Sequence, residues 1–145
     1  MERTIVHTWF FPHPAERVWE YLTKPELIEL WLMKTDFKPE AGHEFMFWTK
    51  PLVKLGFDGK VYCKVLEIDP PKKLAYSWKG GPRKGKVSLD SVVAWTLTGK
   101  NGGTELRLEH SGFRGVKNYF AYLIMNKGWA KIGKRVTHLI QNPGR

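Results

Sequence analysis

The chain has a single cysteine, Cys63, which excludes an intrachain disulfide and a cysteine-rich metal site. No apolar stretch approaches the roughly 20 residues that a membrane-spanning helix needs. Residues Met1 to Thr4 lack the basic start and following apolar run of a signal peptide, so a cytoplasmic protein is expected. No Pro/Ser-rich or low-complexity tract separates two apolar halves, and no internal repeat is visible. The 145 residues are therefore expected to form one domain, 1–145. His7, His13, His43, His110 and His138 are scattered without metal-ligand spacing. A nucleophile elbow, a His-Glu-x-x-His pair and a phosphate-binding glycine loop are all missing. No metal or cofactor is expected, and catalysis finds little support.

Acidic residues are also scarce: 14 Asp and Glu against 24 Lys and Arg give a net charge of +10. Such a balance suits anionic partners. The charge is spread out, however, and its densest run, Lys79 to Lys86, looks like a solvated hairpin loop. Nucleic acid is not expected, because no recognition module is present. An acidic protein is the macromolecular partner that the charge would suit.

Aromatic side chains are plentiful, with seven Trp, eight Phe and five Tyr. They either fill a core or line a cavity. Their placement follows the secondary structure. Residues 4–11 are rich in β-branched and aromatic residues and read as a first strand. Either Ile5, His7, Trp9 and Phe11 face inward, or Val6 and Phe10 do. Pro14 and Pro25 each introduce a short helix, the first over 15–22 and the second through Leu27, Leu30 and Trp31. Strands are expected at 34–38, 43–49, 61–68, around Leu74, Tyr76 and Trp78, at 92–98, and through Leu106, Leu108 and His110. Residues 50–60 read as a loop. Gly99 to Gly103 is a strong hairpin turn, and Ser111-Gly112 is expected to break the last strand.

A helical stripe opens on Gly128-Trp129 and continues through Ile132, Val136, Leu139 and Ile140. At about 100° per residue these share one face, with Lys127, Lys131, Lys134 and Arg135 opposite. Gly128 reads as the point where this helix packs closely or bends. Strands gathered together rather than alternating with helices argue for an α+β fold with an antiparallel sheet. One face of such a sheet is free to receive the terminal helix.

Several pieces, in order, resemble the START/Bet v 1-like (SRPBCC) helix-grip superfamily. Within it the nearest likeness is to the family related to the C-terminal domain of the activator of Hsp90 ATPase. The pieces are Pro14-Ala-Glu-Arg-Val18-Trp19, Pro25-Glu-Leu with Trp31, and Pro39-Glu-Ala-Gly-His-Glu-Phe45. Next come Glu67-Ile-Asp-Pro-Pro-Lys-Lys-Leu74-Ala-Tyr-Ser-Trp78 and Val93-Ala-Trp95-Thr-Leu97. The last are Gly103-Thr-Glu-Leu-Arg-Leu108 with His110-Ser-Gly-Phe113, and Gly128-Trp129. Two glycines are common in the family where this chain has Gly42-His43, and Gly is frequent where it has Cys63. The resemblance implies a curved antiparallel sheet of about six or seven strands wrapped around the long C-terminal helix. It also implies a cavity between them, which in the superfamily takes apolar ligands such as lipids or polyketides. Some relatives are cyclases or aromatases.

By strand alternation, the residues expected to line that cavity are Phe45, Phe47, Tyr76, Trp78, Val93, Trp95, Leu108 and His110 from the sheet. Met125 and Trp129 join from the long helix, and Trp31 from the short ones. His110 is the notable polar position: a buried histidine either has a structural hydrogen bond or orients a ligand oxygen. Tyr76 and the indole N–H of Trp78 or Trp95 could do likewise. The leading functional expectation is the binding of a small apolar molecule. A protein–protein module of co-chaperone kind is the second, and a cyclase-like enzyme using His110 with a tyrosine is the third.

Overall fold

The computed structural model describes residues 2–51, 57–83 and 86–141, with the side chain of Lys117 outside that description. Lys84, in the basic loop, also falls outside it.

Strand β1 (Glu2–Phe11) is followed by α1 (Ala15–Thr23) and α2 (Pro25–Trp31). Strands β2 (Lys34–Thr35), β3 (Glu44–Trp48), β4 (Lys60–Asp69), β5 (Lys73–Gly80), β6 (Leu89–Lys100) and β7 (Gly103–Arg114) come next, and α3 (Gly115–Gln141) ends the chain. All seven strands form one curved antiparallel sheet in the order β1-β7-β6-β5-β4-β3-β2. Each strand therefore lies beside its sequence neighbour except β1, which crosses the short helices to pair with β7.

The local chemistry explains these elements. Pro14 caps α1 with its carbonyl, which accepts from the N–H groups of Arg17 and Val18. Pro25 occupies the first turn of α2, where a missing N–H is no loss. Glu16 and Glu26 sit in the two first turns, favourably placed for the helix dipoles. In the β6–β7 hairpin Asn101 and Gly102 both have positive φ, 49° and 78°, the signature of a type I′ turn.

Strand β1 resolves which of its faces is inward. Ile5 and Phe11 are fully buried and His7 and Trp9 half-buried, whereas Val6 and Phe10 are exposed. Two expectations are corrected along β7 and β2. Ser111-Gly112 does not end β7: the strand runs on to Arg114, and the register steps from Arg3↔Phe113 to Thr4↔Ser111. Gly112, at φ 107°, is the extra residue of a bulge, and a Cβ there would meet the Asp90 carbonyl at 2.9 Å. Strand β2 stops at Thr35 rather than residue 38. Thr35 Oγ1 donates to the Met46 carbonyl, and Asp36 accepts the N–H of Met46, so side chains replace the ladder there.

The long helix starts thirteen residues before Gly128, at Gly115, and spans 27 residues. Its second half behaves as the stripe predicts. Trp129, Val136 and Ile140 are buried, and Lys127, Lys131, Lys134 and Arg135 are exposed. The close-packing glycine is Gly133, not Gly128. A Cβ on Gly133 would fall inside the indole of Trp9 on β1, while one on Gly128 would meet open space. Arg17 Nη2 on α1 donates to the carbonyl of Ile140 at 2.9 Å, and His7 Nε2 bonds Asn126 Oδ1 at 2.8 Å. The helix is thereby tied to the sheet at its middle and to α1 at its end.

Candidate functional site

Most of the predicted lining residues meet in a closed core. Trp95 sits at its centre, edge-on to Trp31 at 5.9 Å and to Trp129 at 5.5 Å. Phe45, Phe47 and Tyr76 pack ring on ring beside it, with Phe45–Tyr76 centroids 5.2 Å apart. Val93, Leu108 and His110 have no exposed surface.

The polar atoms of this core are already spoken for. Trp129 Nε1–H donates to His110 Nδ1 at 3.0 Å. Ser91 Oγ donates to the Trp78 carbonyl at 2.7 Å and lies 2.8 Å from His110 Nε2. With the serine hydrogen committed to that carbonyl, His110 Nε2–H is the donor to Ser91 Oγ. One chain of bonds, Trp129 to His110 to Ser91 to the Trp78 carbonyl, thus holds His110 neutral in a single tautomer. Burial pushes its pKa down to about 3, because the imidazolium would be desolvated. Tyr76 accepts from Trp95 Nε1–H at 3.0 Å, and burial pushes its phenol well above its ordinary value. Trp31 Nε1–H donates to the Tyr21 carbonyl at 2.8 Å. Neither ring nitrogen of His110 bonds a tyrosine: Nδ1 accepts from Trp129 and Nε2 meets Ser91.

A cavity of about 500 Å³ opens at one end of this core, between the sheet and the first half of α3. Val61, Trp78 and Leu89 form its sheet wall. Asn118, Phe120, Ala121, Ile124 and Met125 form its helix wall. Met33, Phe57, Gly80, Pro82, Lys86 and Ser88 complete the rim. Phe120 and Ile124 line the cavity yet are 65% and 48% exposed, so they mark its mouth. Of the eleven residues expected at the site, Trp78 and Met125 line this cavity. Trp31, Phe45, Phe47, Tyr76, Val93, Trp95, Leu108, His110 and Trp129 lie in the core behind it and are not among the lining residues. A smaller polar cleft of about 410 Å³ adjoins it, where Glu2 and Arg114 pair at 3.1 Å.

Alternation along strands points to the centre of the sheet and cannot show where helix and sheet separate. The signal that was available lies upstream on the helix: Val116, Phe120 and Ile124 continue the apolar four-residue spacing past its expected start.

The cavity holds unpartnered polar groups, in contrast to the core. Among the four buried indoles, Trp78 alone has no acceptor for its N–H among the described residues, and it lines the cavity. The Asn118 carboxamide and the Lys86 ammonium likewise have no hydrogen-bond or ion-pair partner among the described residues.

A seven-stranded antiparallel sheet gripping a long C-terminal helix, with two short helices after the first strand, defines the START/Bet v 1-like helix-grip class. The profile of the Activator of Hsp90 ATPase homolog 1-like protein family matches residues 12–141, and the chain belongs to that family. It is similar to protein MLL2253 from Mesorhizobium loti, at 38% identity and a TM-score of 0.86 over 99% of this chain and 100% of that one. CalU16 from Micromonospora echinospora shares the fold at 22% identity and TM-score 0.73, covering 98% of this chain and 78% of its own. DynU16, from the dynemicin biosynthetic locus, shares it at 20% identity and TM-score 0.74, covering 96% of this chain and 47% of its own. No curated protein matches the sequence.

Proposed function

We propose that the protein binds a small apolar molecule in the cavity between its sheet and the first half of α3. The observation that carries this reading is the cavity itself: about 500 Å³, walled by Val61, Trp78, Leu89, Phe120, Ile124 and Met125 and open to solvent beside α3. That volume lies within the range of small-molecule sites. Burial of ligand surface against these side chains supplies the affinity, at about 25 cal/mol per Å². DynU16, whose title places it in the dynemicin biosynthetic locus, shares the fold with this chain.

The neutral fluorophore N-phenyl-1-naphthylamine tests the proposal. It should bind with enhanced, blue-shifted emission. Ala121→Trp, which fills the cavity from the helix wall, should abolish binding and leave the melting temperature close to that of the parent. Absence of binding, or equal binding by Ala121→Trp, would overturn it.

A further inference from the structure

We infer that the ligand is an amphipathic acid, an apolar body bearing one carboxylate that pairs with Lys86 at the mouth of the cavity. This rests on the cavity being the binding site, as proposed above, and adds its chemical selectivity. Lys86 is the one charged residue among the fourteen described residues that line the cavity, and none of these fourteen is acidic. Its ammonium has no carboxylate partner within the described protein. The other polar side chains of the wall are the indole N–H of Trp78, which can only donate, the amide of Asn118, and the hydroxyl of Ser88, which donates to the Gly80 carbonyl at 3.4 Å. The charge among these unpartnered groups is positive, the indole can only donate, and the carboxamide can donate as well as accept, so the wall favours a ligand with acceptor oxygens and a negative charge. Phe120 and Ile124 flank the mouth, so the apolar body enters between them and the charged end stays near solvent, where Lys86 is. The +10 net charge of the chain favours approach of an anion from any direction.

Dodecanoate and 1-dodecanol share an apolar chain and differ in charge. Each is titrated against protein loaded with N-phenyl-1-naphthylamine, and displacement is followed. Dodecanoate should bind about fivefold tighter, the size expected of a solvent-facing ion pair. Lys86→Met should reduce dodecanoate to the level of dodecanol, and Lys86→Arg should keep the preference. Equal displacement by the two ligands, or tighter binding of dodecanol, would overturn the acid and leave the cavity as a site for apolar molecules. A preference that survives in Lys86→Met would overturn the assignment to that lysine. If the fluorophore itself does not bind, the cavity proposal fails with it.

Discussion

Trp129 on α3 donates its indole N–H to Nδ1 of His110 on β7, 3.0 Å away, and this contact decides where the histidine carries its proton. Because Nδ1 faces a donor, the proton sits on Nε2, which meets Ser91. The pair joins helix to sheet, and with Ser91 it engages both ring nitrogens of the histidine.

The buried histidine gives stability a pH dependence. His110 stays neutral in the folded protein down to about pH 3, but in the unfolded chain it charges near 6.5. The unfolded state therefore binds the extra proton as pH falls from 6.5 towards 3, and stability falls across that window. Between pH 7 and pH 5 the loss should be about 2 kcal/mol. Urea denaturation at both pH values checks this. His110→Gln should start less stable and show a correspondingly smaller decline, since the remaining histidines titrate in both proteins.

Tryptophan-to-phenylalanine changes should differ according to the partner left behind. Trp129→Phe strips His110 Nδ1 of its donor in a buried site, which costs about 1–3 kcal/mol beyond the lost ring area. Trp31→Phe orphans the Tyr21 carbonyl in the same way. Trp78→Phe removes an N–H that no group among the described residues accepts, so it should be the mildest of the three. Denaturant midpoints of the three variants rank them directly.

Two glycines five residues apart on one helix should respond with opposite sign. Gly128→Ala adds a methyl group into open space and improves helix propensity, so it should stabilise by up to about 1 kcal/mol. Gly133→Ala drives a methyl group into the Trp9 indole and should destabilise by more than that gain, displacing the ring. Thermal melts of the two single variants, with Trp9→Ala added to Gly133→Ala as a partial rescue, check both directions.

Much of the fold was legible because its strands alternate cleanly. Leu74, Tyr76 and Trp78 face inward as expected, as do Val93, Trp95 and Leu97 and the run of Leu106, Leu108 and His110. Gly112 misled for a physical reason: a glycine with positive φ serves a bulge as readily as a strand end, and only the partner strand distinguishes the two. The start of α3 was hidden because Leu123, Ile124 and Met125 are consecutive and blur the stripe that becomes clear only after Gly128. The cavity was less legible still. Trp95 and Trp129 have the chemistry of lining residues, yet their N–H groups found partners more than a dozen residues away in sequence, which spacing along one strand cannot reveal. Asn118 gave no sequence signal, and Lys86 stood out only as the end of a basic run; both gain their meaning from the wall they share.

The partition of α3 into a buried second half and a half-covered first half has a consequence for its dynamics. Trp129, Val136 and Ile140 anchor the C-terminal turns, while Val116, Phe120 and Ile124 leave the opening turns with little to hold them down. Amide hydrogens over 116–124 should therefore exchange with deuterium faster than those over 129–140, although all belong to one unbroken helix. A molecule seated against Ala121 and Met125 would slow the first group and leave the second unchanged. The helix would then act as its own occupancy gauge, reporting a filled cavity peptide by peptide without a label on the ligand.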